Sequence, residues 1–69
     1  MPLSMAKTGE ELYIKKINGK DETKRFLESL GFVIGEKVKV ISEFNGNLIL
    51  NIKETRIALD KVMANRILV

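Results

Sequence analysis

The sequence predicts a mainly β fold with one short helix, closed into a small five-stranded barrel, and three observations carry that expectation. Apolar and polar residues alternate with period two through Leu12 to Ile17, Lys37 to Phe44 and Leu48 to Lys53. Asn18-Gly19 and Asn45-Gly46 break the pattern with turn residues. Only the stretch from Glu22 to Leu30 has helical spacing, and Gly31 stops it.

At 69 residues the chain makes one domain, 1–69, without internal repeat, low-complexity segment or linker. A domain of this size hides only about 60% of its extended surface on folding. With 45% apolar residues and one proline it is globular rather than disordered.

The first strand is expected from Leu12 to Ile17, with Leu12, Ile14 and Ile17 inward and Tyr13, Lys15 and Lys16 outward. After Asn18-Gly19, Asp21 is placed to cap the helix, and Asp21 and Glu22 suit its positive end. Phe26, Leu27 and Leu30 share the apolar face of that helix. With Leu30 as C-cap, Gly31 takes the left-handed conformation, and Phe32 meets Leu27 as in a Schellman ending.

Ile34-Gly35 turns the chain into the strand Lys37 to Phe44, and Asn45-Gly46 starts a hairpin. A two-residue turn would pair Val40 with Asn51, whereas a three-residue loop through Asn47 pairs Val40 with Ile52 and Phe44 with Leu48. The second register gathers Val38, Val40, Phe44, Leu48, Leu50 and Ile52 on one side, so burial favours it. It leaves Ile41 and Ile49 as neighbours on the outer face. A turn near Glu54-Thr55 leads to Arg56 to Leu59, with Ile57 and Leu59 inward and Arg56 outward. Lys61 to Asn65 makes a single helical turn before a last strand, Ile67 to Val69.

The chain contains neither cysteine nor histidine, which removes disulfides, thiolate chemistry and the commonest general base and transition-metal ligand. No catalytic residue, cofactor site or metal site is assigned. The acidic pairs Glu10-Glu11 and Asp21-Glu22 lack further oxygen ligands at supporting spacing and read as turn and helix-start acids. Met5 and Met63 read as core filling. Gly31 and Gly35 lack the lysine and hydroxyl of a phosphate loop and follow a helix instead of opening one.

Twelve Lys and Arg against nine Asp and Glu give a net charge of +3 with the signs interspersed. Lys15, Lys16, Lys37 and Lys39 lie on outer strand faces, where they guard edges. Of Tyr13, Phe26, Phe32 and Phe44 at least two are expected in the core, so a stacking platform for nucleic acid is not expected. No apolar run approaches the ~20 residues of a membrane span, and the amino terminus lacks a secretory apolar segment. A cytoplasmic protein without membrane insertion is the resulting expectation. Val33, Ile34, Ile41 and Ile49 are apolar residues not obviously needed inside, and they form the candidate partner surface. The last strand either closes the barrel or offers an edge for a homo-oligomer.

The order strand, helix, Leu30-Gly31-Phe32-Val33-Ile34-Gly35, hairpin, Arg56-Ile57-Ala58-Leu59, then Ala64, Ile67 and Val69, closely resembles the FeoA family. The likeness begins with Leu3, Ala6 and Gly9 and runs through Ile14, Ile17 and Gly19 to the last residue. Family members usually carry leucine where Phe32 stands and proline where Ile34 stands. A glycine commonly precedes their counterpart of Arg56 to Leu59, in place of Glu54 and Thr55.

The resemblance implies an SH3-like barrel and a cytosolic accessory protein of bacterial ferrous iron uptake, acting by contact with the membrane GTPase permease FeoB. It carries over no catalytic residue. The same barrel occurs at the carboxy terminus of iron-dependent repressors. The alternative is therefore a regulator-type SH3-like module that binds a peptide or a transition-metal ion, although the chain has no helix-turn-helix. A direct iron carrier is the third reading.

Overall fold

The computed structural model describes residues 1–69 as six short strands and two helices. In chain order these are β1 (Glu11–Tyr13), β2 (Lys16–Ile17), α1 (Asp21–Ser29), β3 (Lys37–Phe44), β4 (Asn47–Ile52), β5 (Thr55–Asp60), α2 (Lys61–Ala64) and β6 (Ile67–Leu68). A 3-10 turn at Leu3–Met5 precedes them. The strands form two sheets, β1-β3-β4-β5 and β2-β6, instead of one closed five-stranded barrel.

The expected first strand divides because its two halves serve different sheets. Tyr13 pairs with Lys37 of β3, whereas Lys16 pairs with Leu68 of β6. Between them, the Ile14 N–H donates to the Glu36 carbonyl and the Lys15 N–H to the Leu68 carbonyl. One short segment thus ties both sheets to the core, with Ile14 buried at the crossing.

Helix α1 starts one residue before the expected Glu22, and its N-cap is Lys20, not Asp21. Lys20 is extended and makes no side-chain cap bond, so Asp21 and Glu22 act on the helix dipole from inside the first turn. The carboxyl end is the Schellman ending that the sequence predicts. Phe32 N–H donates to the Leu27 carbonyl (3.0 Å), Gly31 N–H donates to Glu28 (2.9 Å), and Gly31 has φ of 104°. Leu27 and Phe32 are fully buried. Phe26, placed on the inner face by sequence, is 49% exposed. A helix this short buries a stripe narrow enough for Leu27 with partial cover of Leu30.

The β3–β4 hairpin resolves the register problem differently from the expected three-residue loop. Asn45 and Gly46 form a two-residue turn with φ of 50° and 79°, and Phe44 pairs with Asn47. The register shifts between Val40 and Ser42, so Ile41 is an extra, unmatched residue. Beyond this bulge Val40 meets Leu50 and Val38 meets Ile52, which restores the apolar residues to one face. Phe44 lies on the tip side of the bulge, loses its inward phase and is 66% exposed.

The β4–β5 turn is at Lys53-Glu54, one residue earlier than expected, because Ile52 pairs with Thr55. Leu59 points into the core, Ile57 packs on it and Arg56 points outward, as the alternation predicts. Asp60 caps α2 by accepting from the Met63 N–H (2.8 Å).

The amino-terminal lead-in is structural. Leu3 is fully buried, Pro2 bridges to Leu68, and the Val69 N–H donates to the Met1 carbonyl. Met63 packs against the core, but Met5 is 69% exposed on the opposite side of the same turn as Leu3. The core comprises 14 residues, all apolar, and no buried side-chain polar atom lacks a partner.

Candidate docking groove

Between α1, β2 and the connection from α1 to β3 lies a groove of about 350 Å³ lined by Lys16, Ile17, Lys24, Glu28, Val33 and Ile34. Each wall follows from local geometry. Ile17 is buried through its place in β2 and supplies an apolar floor. Lys24 and Glu28 are one helical turn apart and therefore face the same side of α1.

Val33 and Ile34 are presented by a tight turn. The Glu36 N–H donates to the Val33 carbonyl (3.0 Å), and Gly35, third in the turn, has φ of 89°. Those features define a type II turn, which demands glycine at its third position. The Gly35 N–H also donates to the Ile14 carbonyl (2.8 Å), fixing the turn to the strand crossing. Ile34 occupies the second position and is 71% exposed, whereas Val33 is half-buried.

The charges here are uncommitted. The ion pairs of the molecule join Lys37 to Glu11, Lys53 to Glu36 and Lys61 to Glu43, and none uses Lys16, Lys24 or Glu28. Two lysines against one glutamate leave the groove cationic around an apolar centre. This arrangement can receive an aliphatic side chain flanked by carboxylates. No three acidic, histidine or cysteine side chains gather as metal ligands.

Of the four residues that sequence singles out as a partner surface, the fold brings Val33 and Ile34 together in the groove and leaves Ile41 and Ile49 outside its lining. Ile41 sits in the β3 bulge, while Ile49 pairs with Ser42 on one side and Ala58 on the other. Both are half-buried. Lys16, Lys24, Ile17 and Glu28 join the site only through the meeting of β2 with α1. Strand alternation places Lys16 outward, but gives no sign that it converges with Lys24 of α1.

The aromatic residues also differ from expectation, since only Phe32 is buried. Tyr13, Phe26 and Phe44 are exposed on β1, α1 and the end of β3.

The family model for the FeoA domain matches residues 1–69. The chain belongs to the FeoA family. A relative described as a candidate Fe(2+) transport protein A, from Methanocaldococcus jannaschii, is 41% identical over 68 residues, covering 99% of this chain and 83% of that protein. Among solved structures, FeoA of Stenotrophomonas maltophilia complexed with zinc is 27% identical with a TM-score of 0.86, covering 99% of this chain and 87% of that one. It is described as a prokaryotic SH3 domain protein, and the fold of the present chain is SH3-like in the same sense. A FeoA described as an iron uptake regulatory protein has 25% identity and a TM-score of 0.90, covering 97% of this chain and 91% of that one. A manganese-dependent transcriptional repressor shares the fold at 20% identity over 39% of its own length, with a TM-score of 0.86.

The FeoA pattern also explains the groove turn. Proline, usual in the family where Ile34 stands, suits the second position of a type II turn, and the Ile34 N–H enters no backbone hydrogen bond. Isoleucine keeps the turn and adds an aliphatic tip. No helix of the chain is long and apolar enough to cross a membrane.

Proposed function

We propose that this chain is a cytosolic, non-catalytic accessory protein of ferrous iron uptake that docks on the cytosolic GTP-binding region of a FeoB-like permease. Membership of the FeoA family supports the transport assignment. The observation that carries the docking mode is Ile34, 71% exposed on a turn anchored to the core, beside the unpaired Lys16 and Lys24. Exposed aliphatic groups on a rigid frame lose little freedom on binding. The matching segment of the permease carries an aliphatic side chain next to acidic residues. Regulation follows if that segment is accessible in only one nucleotide state, since a partner shifts an equilibrium only by its differential affinity for the two states.

The test is a titration of the isotope-labelled chain with the purified cytosolic region in its nucleotide-free, GDP-bound and GTP-analogue forms. Saturable amide shifts confined to Lys16, Ile17, Lys24, Val33 and Ile34, and abolished by Ile34→Asp, are expected. Absence of shifts in every nucleotide state refutes the docking reading, and equal affinity in all three refutes the conformational one.

A further inference from the structure

The four-stranded sheet ends on β5, and none of the turn and loop backbone hydrogen bonds uses a backbone group of that strand. Antiparallel pairing directs alternate residues to opposite edges. Because Ile52 and Thr55 close a two-residue turn, Thr55, Ile57 and Leu59 bond to β4, and Arg56, Ala58 and Asp60 turn their N–H groups to the free edge. The side chains of these same three residues point to the outer face and are exposed.

Proteins commonly protect such an edge with like charges, proline or a covering element. β5 has no proline, and the two charges on its free side, Arg56 and Asp60, are of opposite sign. Its edge residues instead run cation, alanine, anion, a pattern that is complementary to itself when reversed. We infer that two copies of the chain pair antiparallel through β5, with Ala58 on the two-fold axis.

The register follows from the backbone. Ala58 opposite Ala58 of a second copy and Arg56 opposite its Asp60 place the outward-directed amides in hydrogen-bonded pairs, whereas a shift by one residue does not. Arg56 then meets a carboxylate twice by symmetry. Asp60 uses only Oδ1 to cap α2, so Oδ2 is available to the arginine. On the same face Ile49 pairs with Ala58, so the row Ile49-Ala58 continues into its symmetry copy as an apolar strip across the junction. The result is an eight-stranded sheet in which β1 becomes the edge at both ends. The groove shares no residue with this junction and remains open.

The absence of cysteine makes a clean test available. In the inferred pairing the Cα atoms at position 58 are about 5.5 Å apart, within the span a disulfide bridges. Those at position 56 lie about 14 Å apart, the rise of four strand residues combined with the spacing between strands. Under mild oxidation Ala58→Cys is expected to give a disulfide dimer and Arg56→Cys only monomer.

Sedimentation of the unmodified chain from micromolar to millimolar concentration is expected to show mass rising above 7.8 kDa. Arg56→Asp, which sets like charges opposite each other twice, is expected to weaken association about tenfold. Ala58→Pro is a second variant, because it removes an N–H that the β4 ladder does not use; it should leave a folded monomer by amide dispersion. Equal cross-linking at positions 56 and 58, or a monomer throughout the concentration range, overturns the inference.

Discussion

Glu54→Gly should stabilise the fold, because the β4–β5 turn holds two residues with side chains in a conformation that favours glycine. Lys53 has φ of 47° and Glu54 φ of 63°. The left-handed region costs an L-residue about 1–2 kcal/mol through the approach of Cβ to the carbonyl. Glycine removes that cost but widens the unfolded ensemble, which returns about 0.5–1 kcal/mol. Glu54 is exposed and enters no side-chain hydrogen bond or ion pair, so nothing else is lost.

The net gain is about 0.5–1 kcal/mol, which for a domain of this size raises Tm by roughly 2–8 °C. Urea and thermal unfolding of the parent, Glu54→Gly and Glu54→Ala check it, with unchanged m-values showing that the unfolded state is not the cause. Alanine keeps the Cβ and should move stability by less than about 0.5 kcal/mol. A Glu54→Gly protein that melts no higher than the parent, or an alanine variant that rises equally, refutes the backbone argument.

Gly31→Ala should cost about 1–2 kcal/mol, read by urea unfolding; a Cβ there would lie 3.7 Å from Lys53 Cδ, an ordinary contact, so the penalty is conformational. Asp60→Ala removes the cap of α2 and should cost about 1 kcal/mol, with faster amide exchange at Met63. Leu3→Ala should cost about 2–5 kcal/mol by the same unfolding assay, because Leu3 is fully buried although it precedes every strand. Ile34→Pro should keep the turn and add about 0.4–1 kcal/mol in thermal melts, since the Ile34 N–H has no backbone partner to lose.

Local chemistry was the part of the fold most legible in the sequence. Gly31, Leu27 and Phe32 define a helix ending from their spacing alone, and the structure has that ending bond for bond. The hairpin shows where such reasoning stops. Asn45-Gly46 asks for a two-residue turn, while burial of Val38, Val40, Leu50 and Ile52 asks for another register. A longer loop would reconcile the two demands, but the chain keeps the short turn and inserts Ile41 as a bulge. Phe44 is misplaced by the same step, since a bulge reverses the phase of every residue beyond it. The split of the first strand was also hidden, because alternation through Ile14 and Lys15 is the same whether a strand stays in one sheet or crosses to a second.

The groove is a tertiary feature of the same kind, and the residues that hold the fold around it are not the ones that line its open side. Leu27, Phe32 and Ile17 hold the elements that shape it, and all are buried. Ile34, Lys16 and Lys24 line it yet make none of the side-chain hydrogen bonds or ion pairs that stabilise the chain. A residue 71% exposed also contributes little burial. Substitutions at these three positions are therefore expected to leave stability nearly unchanged and, under the proposed docking mode, to act on binding, while the glycine beside them cannot vary without moving Ile34. Under the proposed docking mode the turn chemistry links sequence to function: Gly35 permits the type II geometry, the geometry projects Ile34, and the projection creates a surface that the core does not need.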